Sequence, residues 1–503
     1  MKKITAQRLL EIFPGLLTWS TFILPVILSF IWPMVVSVFI LFYAIYWLLK
    51  TFILSVHLII GYTRFKKDVK IDWAKKCEAD FPDVWQNYFH MAVIATYKEE
   101  LPTLQETFNA LAKSNYPKDR IIVVLGTEER DLEKAARIIK QLQEEFGNTF
   151  YKFYATVHPK DIPGETKGKG SNITYAIRQA KNDIVDKNKI PYEKIIVTSL
   201  DSDHRVDKQY FACVTHTYLS TPDPVHKSFQ PIPLFFNNIW QTSFPMRLIA
   251  LGSSFWQLVE ATRPYRLRNF ASHAQSFQGL VETDFWSVTS IVEDGHQYWR
   301  SFFKFKGNYS VVPIFTPIYQ DAVLGENYKQ TIAEQYLQKR RWAYGCSDIP
   351  FAIQAAWKDH EIPFFSKWVQ ILRLIEGHYS WATASLVLAT VGWMPIILNY
   401  EYRSTVLAYN FPYYLRYVLY AAMLGMIISL TISTLLVPRP HHNRRLSYLR
   451  LISEWLLTPI IMPLTNIIFG SLPAIDSQTR IMIGKYLGEF RVTYKKPLEY
   501  KNE

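Results

Sequence analysis

Cysteine is scarce in this chain, with three residues in 503: Cys77, Cys213 and Cys346. They are odd in number, far apart and fit no metal-binding spacing. A disulfide framework and a cysteine-ligated metal are therefore not expected, and reduced cytosolic thiols are the simplest reading. Internal repeats and low-complexity tracts are missing too. Charge is missing from one long stretch, since residues 16–60 carry a single formal charge, Lys50. A helix needs about 20 apolar residues to cross a bilayer, so this run is long enough for two spans, with Pro33 at the natural break. No small-residue cleavage site stands out after the N-terminal Met-Lys-Lys, and the run is longer than a signal-peptide core. It reads as a retained anchor.

What is present is strongly segregated. Apolar residues make up 49%, aromatics 16% and charged residues 20%, with a net charge of +13. The cations cluster beside apolar runs, the pattern of topology signals and anionic-lipid attraction, so nucleic acid is not expected as a partner and membrane lipids are. Residues 64–371 form a long polar segment, followed by apolar runs at 378–398 and 414–437 and a proline-interrupted one at 452–473. Lys2 and Lys3 precede the first pair of spans, and Arg64, Lys66 and Lys67 follow it. The basic stretch 438–450 closes the second pair. The positive-inside rule then puts both the N-terminus and the polar domain in the cytoplasm. The run at 452–473 has cations on both sides and reads as re-entrant or interfacial. The expected units are 1–63 (two spans), 64–371 (a cytosolic domain), 372–437 (two spans) and 438–503 (a basic loop, the re-entrant segment and a tail). A bacterial or archaeal plasma membrane is the expected location.

Apolar strands alternate with amphipathic helices in the polar segment. Strands are expected at 90–96, 120–126, 150–157 and 193–201, and helices at 101–114, 130–147 and 171–183. This alternation predicts a parallel sheet covered on both faces, which binds ligands beyond the carboxyl ends of its strands. Residues 254–268, "SFWQLVEATRPYRLR", read as an amphipathic helix lying on the membrane.

The loop "VTSLDSDHRV" places Asp201 and Asp203 directly after a buried strand. Residues two apart in an extended segment point the same way, and paired carboxylates suit Mg²⁺ or Mn²⁺ bridging to a phosphate. A surface Asp-x-Asp arises easily by chance, but the position after a buried strand favours function. The loop "GETKGKGSN" at 164–172 is not a Walker A motif, because Gly170 follows Lys169 where Ser or Thr would be needed. Glycines, two lysines and a following helix N-terminus nevertheless suit an anion. Glu293-Asp294 offers a candidate general base, although most such pairs are merely solvated. The stretch "NFASHAQSFQG" (269–279) is fit to line a polar pocket or to be a plain loop. Finally, "EQYLQKRRWAYG" (334–345) gathers a glutamine, three cations and a tryptophan. Alone it could be the basic face of a juxtamembrane helix.

In order, a nucleotide-type sheet, a Gly-Lys loop, Asp-x-Asp, Glu-Asp and Gln338-x-x-Arg341-Trp342 between membrane spans resemble the processive membrane glycosyltransferases of family 2. These include the cellulose, hyaluronan and chitin synthases with their D, D, D, QxxRW signature. The stretch "FRVTYK" at 490–495 also matches the FxVTxK gating-loop pattern of bacterial cellulose synthases. The resemblance implies an α/β GT-A (Rossmann-like) catalytic domain inserted between transmembrane helices of an integral membrane protein. It implies a nucleotide-sugar donor, a UDP-sugar foremost, a glycan or lipid acceptor, and Mg²⁺ or Mn²⁺. Thr96 and Tyr97 would touch the base, and Lys169 the nucleotide or its phosphates. Asp201 would contact the donor and, with Asp203, the metal. Asp294 would be the general base. Gln338, Arg341 and Trp342 would line the acceptor site beside the diphosphate, where a cation stabilises developing charge. Phe490, Val492, Thr493 and Lys495 would close over the nucleotide.

One departure stands out. The family's second strand usually ends in Asp-Asp-Gly, whereas this one ends "VVLGTEERD", which leaves Glu128 as the nearest substitute. Two outcomes compete within the class: extension of a polysaccharide coupled to its translocation, or transfer of one sugar to a membrane lipid, as ceramide glucosyltransferases do. Outside it stand a transporter with a cytosolic regulatory domain and a non-catalytic binding protein. The missing mid-span charges argue against the first, and the retained motif set against the second.

Overall fold

The computed structural model describes residues 5–438 and 444–496. Lys2, Lys3, residues 439–443 of the basic stretch and the tail beyond 496 lie outside the described residues.

One sheet of eight strands organises the polar segment, in the order β3-β2-β1-β4-β7-β6-β8-β5. The strands are β1 (Phe89–Ala95), β2 (Ile121–Glu128), β3 (Lys152–His158), β4 (Ile195–Asp201), β5 (Arg205–Val206), β6 (Lys227–Leu234), β7 (Ala274–Ser276) and β8 (Ser310–Tyr319). The first four pair in parallel, as their unbroken apolar runs require when both faces are covered. Register brings the carboxyl ends level: Ala95 pairs with Gly126 on one side and with Asp201 on the other. The loops after β1, β2 and β4 therefore open on one edge. Beyond β4 the sheet turns mixed, with β7 antiparallel to both β4 and β6, and β6 parallel to β8.

Two helices precede the sheet domain, Ala6–Ile31 and Pro33–Asp68, broken at Trp32–Pro33 as the sequence predicts. Four helices among the described residues are long and apolar enough to cross a membrane: these two, Val406–Leu436 and the run 449–483. The sheet domain lies between the second and third. Three segments differ from expectation. The apolar run at 378–398 belongs to a longer helix, Phe364–Ala389, followed after a 44° bend by residues 391–398. Gly392 and Pro395 sit at that bend, where a straight helix is hardest to continue.

The prolines of the last run do not interrupt it. Pro459 and Pro463 lie inside one helix, Arg444–Asn466, that continues through a π-turn to Met482. Both ends of this run touch the sheet domain. Glu454 pairs with Arg247, and Asp476 accepts from Arg340 at 3.2 Å. The amphipathic helix expected at 254–268 instead spans Phe244–Ala261. Pro245 sits in its first turn, where a missing N–H costs nothing, and Pro264 follows its end.

Candidate active site

The sheet's carboxyl edge opens into a cavity of about 2350 Å³. Every residue singled out in the sequence as a candidate lines it, from Thr96 and Tyr97 after β1 to Lys495 in the tail. Its wall also runs on past the sheet domain, along the helix Val406–Leu436 from Tyr409 to Ser433.

Lys169 is the centre of the charge arrangement. It opens the helix Lys169–Ala180 and is buried, with Nζ 2.7 Å from Asp201 Oδ1, 3.4 Å from Asp294 Oδ2 and 3.7 Å from Glu293 Oε1. Burial alone would lower its pKa, but the neighbouring acids, Asp201 first and then Asp294, overcome this and raise it, so the amine stays charged. Burial likewise works against ionised Asp201, yet Lys169 and His204 hold that carboxyl well below the usual range. Glu293 is the outlier. Burial, then the neighbouring Asp294, push its pKa up to about 8, so it is protonated at neutral pH. Asp294 Oδ1 is buried without a hydrogen-bond partner. The nearest cationic candidate, His273 Nδ1, lies 3.4 Å away, but burial keeps His273 neutral, and it faces the Phe270 carbonyl at 2.8 Å.

The second acid group surrounds Asp203. Its Oδ2 accepts from Lys495 Nζ at 2.6 Å and from the Asp321 backbone N–H at 2.9 Å. Burial, then Asp203, push Asp321 up to about 6. Asp201, Asp203 and His204 offer ligand atoms within 4.8 Å of one another. Two carboxylates and an imidazole suit a hard or borderline divalent ion, and Lys495 shows that a cation is already accommodated against Asp203.

The tail returns to this edge from the far end of the chain. The Phe490 N–H donates to the Lys167 carbonyl at 2.7 Å, and Glu489 bridges to Lys167. Gly168 makes the seat, since a Cβ there would come within 2.6 Å of Phe490 Cβ. Arg341, half-buried on the helix Tyr328–Ala343, stacks on the Phe490 ring at 4.0 Å. Arg491 and the Tyr494 N–H hold Glu334 at 2.6 and 3.3 Å. Gln338 accepts from Gln335 at 3.3 Å, and Trp342 packs against Phe235 with ring centroids 6.1 Å apart.

The altered end of β2 has a packing reason. A Cβ at Gly126 would fall 2.1 Å from Asn172 Oδ1, whose amide donates to the Gly126 carbonyl at 3.1 Å. Thr127 Oγ1 donates to the Thr156 carbonyl at 2.8 Å. Glu128 is therefore the first side chain of this strand end to face the cavity. It pairs with Arg130 at 2.5 Å, and Arg130 lies 4.3 Å over the Tyr97 ring. Glu99, pushed up to about 7 by burial, accepts from Thr96 Oγ1 at 3.0 Å and the Tyr97 N–H at 2.5 Å.

Sequence reasoning misses Glu99 and Asp321, which carry no motif of their own and meet the site only through folding. His273 enters only as part of the stretch 269–279, and Lys339 only as one of the cations of the basic stretch 334–345.

Residues 91–215 match the family model of Glycosyl transferase family 2, so the chain carries a domain of that type. The match holds Thr96, Glu128, Lys169, Asp201 and Asp203, whereas Asp294 and the residues after it lie beyond. No curated protein matches the chain by sequence. Among solved structures, it is similar to the mannosyltransferase PcManGT from Pyrobaculum calidifontis, in complex with GDP-Man and Mn²⁺. That likeness is at 14% identity and a TM-score of 0.44, over 89% of this chain and 100% of the other. It is also similar to S. aureus TarS 1–349 in complex with UDP-GlcNAc, at 12% identity and a TM-score of 0.35, over 79% and 93% of the two chains.

Proposed function

We propose that this protein is an inverting, metal-dependent glycosyltransferase of the membrane, which extends a glycan from a nucleotide-diphosphate sugar and passes the product through its own spans. The family 2 domain supports the transferase chemistry. The observation that carries the extension reading is the continuity of the cavity from Asp201 and Asp294 to Ser433, Tyr420 and Tyr409. That is roughly 36 Å of helix at about 1.5 Å per residue, more than the ~30 Å of a bilayer's hydrocarbon core.

In this reading the acceptor hydroxyl oxygen attacks the anomeric carbon from the face opposite the diphosphate. The new C–O bond forms as the bond to the diphosphate breaks, and the electron pair leaves on the diphosphate. Asp294 Oδ1, buried and unpaired, takes the proton. Lys169 and Arg341 provide fixed positive charge where the diphosphate departs. Mg²⁺ or Mn²⁺, held by Asp203 with Asp201 and His204, would supply Lewis-acid neutralisation of the diphosphate. Tyr97, Arg130 and Glu128 form the stacking face and polar edge for the base. Residues 490–495 act as a strap over the donor, with Lys495 on Asp203.

The contacts of the last helical run support a cytoplasmic tail. Glu454 and Asp476 both meet the sheet domain, which fits an interfacial helix lying along that domain rather than a full crossing. With the bent pair 364–398 counted as one span, the chain then crosses four times between residues 5 and 496, and both of these fall on the side of the catalytic domain.

A second reading has one observation in its favour. Leu415, Leu419 and Met423 share the cavity wall with the tyrosines, an apolar surface that suits a lipid acceptor receiving one sugar. Full-length protein with Mn²⁺ and a panel of nucleotide sugars separates the two. A ladder of products with nucleoside diphosphate release supports extension, whereas a single sugar on lipid selects the second reading.

A further inference from the structure

The two halves of the cavity differ in what their charges face. At the donor end, Lys169, Arg130 and Lys495 each hold a carboxylate. Along the acceptor path, Lys339, Arg268, Arg373 and Arg416 line the same cavity, and none has a carboxylate at ion-pairing distance among the described residues. Lys339 is buried; its Nζ donates to Ser253 Oγ at 2.8 Å and lies 4.3 Å over the Trp342 ring. Two of its three N–H groups have no acceptor among the described residues. Among the described residues Arg268 donates only to the Gln370 carbonyl, at 2.9 Å, and it sits 4.8 Å from the Trp299 ring. Arg373 donates to the Tyr265 carbonyl at 2.8 Å.

Arg416 lies on the helix Val406–Leu436 in a stripe with Tyr409, Tyr413 and Tyr420. That spacing puts all four on one face, and Arg416 stacks on Tyr413 at 4.9 Å. Arg416 is exposed, stands third in the apolar run 414–437, and lines the cavity with no acid partner among the described residues, so it is open to an anion that enters there.

The acids on this path are already committed, including Asp348, which pairs with His296 at 2.7 Å. Glu260 holds Arg263, and Arg266 at 3.3 Å, while Glu376 holds Lys50 and accepts from Ser380 at 2.7 Å. The acceptor path therefore offers an excess of charged donors and few free acceptors. A neutral sugar can accept hydrogen bonds from these groups but carries no charge, and so leaves the cations uncompensated. A carboxylate brings acceptors and charge without a donor, and charge-assisted bonds of this kind are the strong ones.

We propose that the glycan bears carboxylates: the acceptor and growing product contain uronic-acid units, bound by Lys339 at the acceptor site and by Arg268 and Arg416 farther along the path. This rests on the glycan-extension reading. It also explains why a lysine whose burial pushes its pKa down to about 7 is kept in a cavity wall. An anion docking beside it restores the proton, so the side chain responds to charge and not to shape alone.

The test measures binding apart from catalysis. Full-length protein in lipid nanodiscs is titrated with fluorescent hexasaccharides, either uronate-bearing (from pectate, alginate or hyaluronan) or neutral (from cellulose, starch or chitin). The expected result is tighter binding of at least one uronate hexamer by about tenfold or more, the size of a charge-assisted hydrogen bond. Lys339→Gln should abolish that preference and Lys339→Arg should keep it. Arg416→Gln, on a separate helix, should weaken it if the Lys339 variant is misfolded.

Equal affinity for neutral and acidic hexamers, or a preference untouched by Lys339→Gln and Arg416→Gln in folded protein, would overturn the proposal. So would competition by a polyprenyl phosphate where no hexamer binds. Nucleoside diphosphate release from a donor panel is read in parallel, so failure of the transferase reading shows as no release whatever the hexamer result.

Discussion

The donor end and the acceptor path are two parts of one cavity, built on opposite electrostatic plans. Asp201, Asp203, Glu293 and Asp294 crowd within reach of Lys169 and Lys495 at the donor end. Along the path the cations stand beside aromatic rings and backbone carbonyls instead. A closed network of paired charges is pre-organised, costs no rearrangement when charge develops, and suits bond breaking. A row of cations without acids is completed only by what it binds, and suits a ligand that arrives and moves on. On the proposed function, the difference gives chemistry to one half and recognition to the other.

Substitutions at the donor end should therefore abolish turnover, and those along the path should alter which glycan is used. Asp294→Asn should have the largest effect. It removes the proton acceptor, so nucleoside diphosphate release should fall by about 10²–10⁴-fold while nucleotide binding, followed by calorimetry, survives. Release that persists would make Asp294 a structural partner of Lys169. Lys169→Met comes next. It leaves Asp201 and Asp294 facing each other without a buried cation, which costs about 3–5 kcal/mol. Thermal unfolding should shift down together with activity.

Much of this plan was legible in the sequence, and unevenly so. The parallel half of the sheet was clear because its strands are long apolar runs separated by amphipathic helices. Strand positions agree to within two residues, and the Ala95–Asp201 register puts the expected loops on one edge. The mixed half was not legible. β5 has two residues and β7 three, too short for any period to register. The tail's return was readable only through resemblance, since nothing local in "FRVTYK" says that Lys495 meets Asp203. Glu128, the nearest carboxylate at the end of β2 in the sequence, does line the cavity, but the reason for the altered strand end, the close approach of Asn172 to Gly126, is a long-range fact. Lys339 was overlooked because a lysine in a basic run reads as solvated until burial is known.

Smaller effects sharpen the comparison. Lys495→Ala should raise the donor KM by about tenfold, the value of one charge-assisted contact, with kcat less affected. A loss of metal response without a KM change would place Lys495 in holding Asp203 rather than in closing over the donor. The pH profile has a defined sign. Glu293, with its pKa raised to about 8, is protonated below that value and adds negative charge beside Asp294 above it. Activity should fall as pH rises through about 8, and Glu293→Gln, which mimics the neutral form, should remove that alkaline limb. A limb unchanged in the variant would assign the titration to another group.

The most direct test of the central claim is a product analysis. Full-length protein in sealed vesicles, with the catalytic face outward, is given Mn²⁺ and a nucleotide-sugar panel, and both nucleoside diphosphate release and product mass are followed. The account predicts release from at least one donor, with products that form a ladder and accumulate inside the vesicles. One sugar on a lipid, or nucleotide bound with no release from any donor, would contradict it.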